Sequence, residues 1–151
     1  MQRLKKLNIG CGNDYRDGFW NVDIGNCKKD EEIDIAKKLP FEDDYFDMVF
    51  AQHVLEHIPK ERFFEIFGEI HRVMAKGALL EFIVPVAGSD NYFTDPTHTM
   101  PFTPRTMDFL TEGKPLRENG IIYGADYEFR ELTQPAFVDN VGSLKFMLEK
   151  K

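Results

Sequence analysis

Two glycines that directly follow an apolar segment constrain this sequence more than any other feature. Leu4, Leu7 and Ile9 form the pattern of a buried β-strand, and the segment ends at Gly10-Cys11-Gly12. Glycine at the carboxyl end of a strand lets the backbone approach a ligand where a Cβ atom would collide with it. The sequence therefore predicts a strand followed by a ligand-binding turn.

A second short apolar segment closes on an acid, Asp23. A carboxylate at the end of a strand can accept two hydrogen bonds from a ribose diol. The dinucleotide-binding fingerprint is incomplete here, because Tyr15 occupies the position of its third glycine and no helix N-terminus is predicted to hold a pyrophosphate. We therefore expect the edge of an open α/β sheet to bind a nucleoside without phosphates.

Three motifs carry a resemblance to a known family. They are Leu7-Asn8-Ile9-Gly10-Cys11-Gly12-Asn13, Asn21-Val22-Asp23-Ile24, and Val54-Leu55-Glu56-His57 after Phe46-Asp47-Met48-Val49. Together they resemble the class I S-adenosylmethionine-dependent methyltransferases, over nearly the whole chain and most firmly over residues 4–85. The resemblance implies an α/β fold, a Rossmann-like open sheet of about seven strands, mostly parallel with the last strand antiparallel.

The same resemblance implies S-adenosylmethionine as the cofactor and assigns residues to its parts. Gly10, Cys11 and Gly12 are expected to line the methionine half, and Asp23 is expected to hold the ribose.

Asp34 and Ile35 match the dipeptide that flanks the adenine in this family. The carboxylate is expected to accept from the adenine amino group, and the apolar side chain to cover the ring. Phe41 is expected to add another apolar wall.

The remaining strands follow from apolar periodicity. We expect strands at 33–35, 48–51, 78–85, 127–132 and 144–148, with the last two paired antiparallel. The joining segments in the first half look too short or too polar for crossover helices, which predicts reduced helices there. One sheet face would then be covered by aromatic loops carrying Tyr15, Phe19 and Trp20, or by a partner chain. We expect a homodimer on this ground.

One long helix is predicted to open at Pro59 and to end at Gly77. Its apolar face has helical spacing and consists of Phe63, Ile66, Phe67, Ile70, Val73 and Met74. Residues 87–103 are predicted to form a long irregular loop, which in a compact domain is usually functional. A second helix is predicted over 104–110, with Thr103 as its N-cap.

The pentapeptide His53-Val54-Leu55-Glu56-His57 also fits the His-x-x-Glu-His pattern of zinc peptidases. Pro59 disfavours helical geometry just before it, although a helix is needed to align both histidines. The motif also directly follows a buried strand. We therefore prefer the methyltransferase interpretation and expect no metal, with a zinc hydrolase as the alternative.

The candidate catalytic residues are His98, Asp95 and His53. Methyl transfer needs mainly in-line placement of the acceptor, and a general base helps when the acceptor is a hydroxyl group. Asp95 and His98 come from the long loop, with Tyr92 as a weaker candidate, and His53 comes from the strand-four exit. A structural role for Asp95 and His98, or a metal-assisted variant with Asp90, stays open at this point.

Size and charge limit the remaining possibilities. Residues 1–151 are long enough for one domain, and a net charge of −7 argues against nucleic acid as the main partner. No apolar run is long enough for a membrane span, and Cys11 and Cys27 match no metal-binding or redox spacing. We expect a cytoplasmic setting.

The leading hypothesis is a methyltransferase that transfers a methyl group from S-adenosylmethionine to an oxygen or nitrogen of a small molecule or glycan. The alternative is a catalytically inactive domain of the same fold that binds the cofactor or a protein partner.

Overall fold

Seven strands form a single sheet in the computed structural model, which describes residues 4–151. The strands are β1 (Lys6–Ile9), β2 (Trp20–Asp23), β3 (Glu31–Glu32), β4 (Phe46–Gln52), β5 (Met74–Pro85), β6 (Phe129–Phe137) and β7 (Ser143–Lys150). Their order across the sheet is β3-β2-β1-β4-β5-β7-β6. The pairs from β3 to β5 are parallel, and β7 is antiparallel to both of its neighbours. The predicted α/β sheet, with its last strand antiparallel, is therefore confirmed.

Helices are concentrated in the second half of the chain. The α-helices are α1 (Phe63–Val73), α2 (Asp90–Thr94) and α3 (Arg117–Ile122), and 3₁₀ turns lie at Leu55–His57, Lys60–Arg62 and Thr106–Phe109. Within residues 4–151 no α-helix precedes Phe63, which confirms the predicted shortage of helices in the first half. None of the helices in this described range is long and apolar enough to cross a membrane.

The main core lies between α1 and the sheet. The buried face of α1 consists of Phe63, Ile66, Phe67, Ile70 and Val73. The ring of Phe67 packs against that of Phe82 on β5, with centroids 5.7 Å apart. Phe82 in turn stacks on Phe146 of β7 at 4.7 Å. Aromatic burial of this kind supplies much of the stabilisation of a small core, so the helical spacing of these residues correctly predicted the packed face.

The end of the long helix differs from the prediction. The helix stops at Val73, because Met74 already has extended backbone angles and begins β5. Gly77, expected to cap the helix, lies within β5 with a φ of 79°. There the pairing register between β4 and β5 shifts, and an irregularity of this kind favours a glycine with positive φ. The glycine thus serves a bulge in the strand.

Other boundaries also differ from the prediction, and α1 begins at Phe63 after a 3₁₀ turn rather than at Pro59. The third strand is Glu31–Glu32, just before the predicted 33–35. The predicted helix over 104–110 is only a 3₁₀ turn at Thr106–Phe109, and its N-cap is Arg105 without a side-chain bond. The predicted irregular loop contains α2, where the Ser89 hydroxyl accepts from the backbone N–H of Tyr92.

Two buried asparagines hold the helix-free connection between β1 and β2. Asn8 Nδ2 donates to Asn21 Oδ1 at 2.9 Å and to the carbonyl of Asp14 at 2.7 Å. Asn21 Nδ2 donates to the carbonyls of Arg16 and Phe19, each at 3.0 Å. These bonds satisfy the loop's backbone groups in place of helical hydrogen bonds.

The connection between β1 and β2 also covers part of the sheet face that lacks helices. The Arg16 guanidinium lies 3.5 Å from the ring centroid of Phe50 on β4, and Phe50 is buried. The chain therefore covers Phe50 with its own loop. This was one of the two expected ways of covering the sheet face, the other being a partner chain. Self-association through the rest of this face stays a prediction.

His71 fastens α1 to the segment that enters β6. Its Nε2 lies 3.1 Å from the carbonyl oxygen of Glu128, and its ring packs against Tyr127 and Phe129. Burial, assisted by the nearby charge of Lys150, lowers the pKa of His71 below its ordinary value.

We expect His71 to make stability depend on pH in a defined direction. Since its pKa is lower in the folded state, the unfolded chain binds more protons below pH ~6.5. The advantage of the wild type over His71→Gln in free energy of unfolding should therefore shrink as the pH falls from 7 to 5. Urea unfolding of both proteins at each pH measures it. A difference independent of pH would contradict the assignment.

Candidate functional site

The strand order places a crevice at the carboxyl ends of β1 and β4. The chain leaves β1 towards β2 and β3 and returns to β4 on the other side of β1. Ligands of open α/β sheets bind at such a switch point. Gly10 follows β1 here with a φ of 61°, and a Cβ atom on it would lie 2.3 Å from Cγ2 of Val54. A glycine is therefore required for both its backbone conformation and its close contact.

A backbone-to-carboxylate hydrogen bond joins the turn after β1 to the end of β2. Gly12 N donates to Asp23 Oδ2 at 2.8 Å, and the backbone N–H of Gly25 donates to Asp23 Oδ1. An ionised carboxylate has about four lone-pair sites, so each oxygen can still accept from a ligand. The predicted glycine turn and acid therefore lie side by side on one edge of the sheet.

A cavity of about 130 Å³ opens beside this pair. Gly10, Asp23, Asp34 and Ile35 line it together, so four of the six residues predicted for the cofactor converge on one space. The lining also includes residues after β4, to which the sequence interpretation assigned no part of the cofactor. These are Val54, His57, Ile58 and Pro59.

Three of the residues predicted for the cofactor do not line this cavity, namely Cys11 and Gly12 of those six and Phe41, the expected additional wall. Cys11 is buried, its Sγ lies 3.6 Å from the carbonyl oxygen of Lys28, and burial raises the pKa of its thiol to about 11. Phe41 packs edge-on between Trp20 and Phe46, at centroid distances of 5.6 and 4.9 Å, and contributes to the core there.

A cluster of ionisable side chains lies next to the crevice, around Glu56. Its carboxylate is 1% exposed. Oε1 lies 3.4 Å from His53 Nδ1 and 3.9 Å from His98 Nε2, and His98 Nε2 lies 3.6 Å from Asp95 Oδ2. The three predicted catalytic residues thus lie around a buried glutamate, with His53 and His98 next to it and Asp95 next to His98. The sequence interpretation had quoted this glutamate in both the methyltransferase motif and the zinc-peptidase pattern without assigning it a part in methyl transfer.

Each histidine of this cluster has a defined environment. The hydrogen bond to Glu56 raises the pKa of His53 above its ordinary value, and the backbone of His53 has a φ of 53°. His98 Nδ1 lies 2.7 Å from the carbonyl oxygen of Tyr92. His57 Nδ1 lies 2.9 Å from Thr97 Oγ1, which donates to Asp95 Oδ1 at 2.6 Å.

Long-range backbone bonds bring the loop of His98 to this position. The N–H groups of Thr99 and Met100 both donate to the carbonyl of Glu56 at 2.9 Å. The hydroxyl of Thr99 donates to the carbonyl of Ile58 at 2.7 Å. Asp90 lies instead at the start of α2, in a groove shared with Val141, so the structure does not group it with Asp95 and His98.

The His-x-x-Glu-His motif does not form the helix that a zinc peptidase requires. Its last three residues form a 3₁₀ turn, and His53, with its positive φ, lies outside that turn. The first and last histidines are therefore not one α-helical turn apart.

Comparisons with known proteins agree with the geometry. Residues 11–82 match the methyltransferase domain family, and no curated protein matches the chain. A SAM-dependent methyltransferase from Archaeoglobus fulgidus superposes with a TM-score of 0.64 at 19% identity, over 97% of this chain and 86% of that one. One from Methanosarcina mazei gives 0.64 at 16% identity, over 99% and 94%.

A third similar structure is a methyltransferase in complex with the Trm112 methyltransferase activator of Haloferax volcanii. It has a TM-score of 0.63 at 13% identity, over 99% of this chain and 83% of that one.

The family match over residues 11–82 and the shared fold confirm the resemblance to the class I S-adenosylmethionine-dependent methyltransferases that the motifs carry. The matched residues, 11–82, are those of a methyltransferase domain. The family model and the similar structures support S-adenosylmethionine as the cofactor.

Two alanine substitutions should separate the two demands on the glycine turn. Gly10→Ala introduces both a positive-φ penalty and a clash with Val54, and should destabilise the fold by about 3 kcal/mol. Gly12 also has a positive φ, of 47°, but a Cβ atom there would meet open space. Gly12→Ala should therefore lower the free energy of unfolding by only about 1 kcal/mol. Chemical denaturation measures both. Equal losses would contradict the close approach of Val54 to Gly10.

Proposed function

We propose that this chain binds S-adenosylmethionine in the crevice between β1 and β4 and transfers its methyl group to an oxygen or nitrogen of a small molecule or glycan. The observation that carries the proposal is the cavity shared by Gly10, Asp23, Asp34 and Ile35. It combines a close backbone approach, two carboxylates and an apolar side chain at the switch point of the sheet.

The cofactor half of the proposal follows the chemistry of these groups. Asp23 retains accepting capacity for the ribose hydroxyls, since its two bonds to Gly12 and Gly25 leave lone pairs free. Asp34 accepts from the backbone N–H of Ala36 through Oδ1. Its Oδ2 lies 3.8 Å from Lys37 Nζ and keeps lone pairs to accept from the adenine amino group. Ile35 covers the ring, and Gly10, Cys11 and Gly12 accommodate the methionine half.

The acceptor half lies on the side of Glu56. His53, Asp95 and His98 are the candidates for handling the acceptor's proton, and their exposure distinguishes them. The side chain of His53 is 42% exposed, whereas that of His98 is 8% exposed. With Nδ1 directed at Glu56, the other ring nitrogen of His53 is available to an incoming acceptor. We therefore assign the general base to His53 and a positioning role to His98 and Asp95.

The net charge and the sheet face without helices guide our proposals about partners. The acidic net charge favours a small-molecule or glycan acceptor over nucleic acid. A homodimer through the sheet face without helices stays our prediction.

Removing the Asp23 carboxylate should weaken cofactor binding. Asp23→Ala leaves ribose hydroxyls unpaired and should cost about 1–3 kcal/mol, roughly 5- to 150-fold in Kd. Asp47→Ala is the matched control, because that carboxylate accepts from Lys5 N at the opposite end of β4. Calorimetric titration with S-adenosylmethionine measures all three proteins. An unchanged Kd in Asp23→Ala, or no heat with the wild type, would contradict the proposal.

Turnover and binding should separate at His53. His53→Asn removes the base while retaining a residue type that tolerates positive φ, so turnover should fall by about 10²-fold with cofactor affinity unchanged. Transfer of labelled methyl from the donor to a panel of sugars and hydroxylated metabolites measures the rate. An unaltered rate would return His53 to a structural role, and no transfer by the wild type to any acceptor would favour a binding domain.

A further inference from the structure

We propose that Glu56, His57 and His98 bind one divalent transition-metal ion beside the cofactor, and that this ion positions a hydroxyl acceptor. The inference rests on the proposed function and deepens it, because it selects oxygen acceptors over nitrogen acceptors. One ligand atom from each residue lies within 4.8 Å of the other two. The sequence interpretation expected no metal, and His98 joins Glu56 and His57 only in the fold.

The buried carboxylate is the first argument for an ion. Glu56 is 1% exposed, and its Oε2 has no hydrogen-bond partner among the residues that the structure describes. A buried carboxylate oxygen without a partner is costly. A cation bound at Oε2 satisfies the oxygen and offsets the cost of burying the charge.

The histidine hydrogen bonds are the second argument. His98 Nδ1 faces the carbonyl of Tyr92, which can only accept, so Nδ1 carries a proton and Nε2, directed at the carboxylates of Glu56 and Asp95, is the nitrogen that can face an ion. His57 Nδ1 faces the Thr97 hydroxyl, whose own proton points to Asp95, so the same tautomer follows. Metal-bound histidines are oriented in this way, with the second nitrogen donating to a carbonyl or a carboxylate-linked group.

The ligand set indicates the kind of ion. Two imidazole nitrogens and one carboxylate oxygen suit zinc, cobalt, iron(II) or manganese rather than calcium or magnesium. Ligand atoms at 2.0–2.2 Å from one tetrahedral ion lie about 3.4 Å apart. Since the ligand atoms lie within 4.8 Å of one another, side-chain rotations have to shorten the longest separation by up to about 1.4 Å.

The other three-residue cluster in the described chain lacks an unpartnered carboxylate oxygen. Cys11, Asp23 and Cys27 also converge, but both oxygens of Asp23 already accept backbone hydrogen bonds. The carboxylate there is satisfied by the protein itself. Only the Glu56 cluster combines converging ligands with an unpartnered buried oxygen among residues 4–151.

The position of the cluster gives the ion a role. His57 also lines the cavity that contains Gly10 and Asp23, so the ion lies next to the cofactor. A hydroxyl oxygen bound to the ion has a lowered pKa and a fixed position. It releases its proton to His53 and then to water, and forms a bond to the methyl carbon. The carbon–sulfur bond breaks with its electron pair retained on sulfur, giving a methyl ether and S-adenosylhomocysteine.

Cobalt titration tests the site directly. Tag-free protein, stripped with EDTA and dialysed, is titrated with Co²⁺ and followed by its visible absorbance, with Zn²⁺ added in competition. We expect one equivalent to bind and Zn²⁺ to displace it. Glu56→Gln and His98→Gln should each weaken Co²⁺ binding at least tenfold, and Thr97→Val should weaken it about 10- to 100-fold through the orientation of His57. Circular dichroism verifies that each variant is folded.

His71→Gln is the matched control, because it removes a buried histidine that packs against Tyr127 and Phe129 and should leave Co²⁺ binding unchanged. Absence of stoichiometric binding of Co²⁺, Zn²⁺ and Mn²⁺ would overturn the inference. So would unchanged binding in both Glu56→Gln and His98→Gln. Calorimetry with S-adenosylmethionine in EDTA separates the two proposals, since the cofactor should still bind when no metal does.

Discussion

The hydrogen bond from Gly12 N to the Asp23 carboxylate is the interaction on which the rest of the site depends. It joins the turn after β1 to the end of β2, so the distance between the backbone of one strand and the acid of the next is set by covalent geometry and a single contact. Gly10 brings Val54 against the same turn and adds the end of β4. Three strand ends thereby form one rim, and any ligand held there meets groups whose relative positions are fixed before it arrives.

The chain builds this rim without the helices that usually flank such a sheet. The connection between β1 and β2 is stabilised by Asn8 and Asn21, whose side chains satisfy its backbone carbonyls, and Arg16 covers Phe50 where a helix would otherwise pack. Side-chain amides thus replace helical hydrogen bonds, and a stacked guanidinium replaces apolar burial. The helical layer is concentrated in α1, on the face that carries the aromatic core.

Local patterns predicted the sheet and half of the site, because strands, glycine turns and terminal acids are encoded within a few residues. Gly10 and Asp23 could be found in this way, whereas Asp34 and Ile35 were assigned through the family resemblance. The surroundings of Glu56 could not, since they depend on hydrogen bonds that join segments about 40 residues apart, from Thr99 and Met100 to the Glu56 carbonyl. The position of Gly77 failed for a related reason, because a helix-ending glycine and a bulge glycine need the same positive φ, and only strand pairing distinguishes them.

The two halves of the proposed site differ in how firmly the fold prepares them. The cofactor rim consists of backbone groups and an acid whose oxygens both accept hydrogen bonds from the protein. The proposed acceptor side contains a buried oxygen without a partner among the described residues, Glu56 Oε2. The most direct measurement of the central claim is a crystal structure of the chain with S-adenosylhomocysteine. The account predicts that both ribose hydroxyls lie within hydrogen-bond distance of Asp23, with the adenine against Ile35. A ligand bound elsewhere, with Asp23 facing solvent, would contradict it.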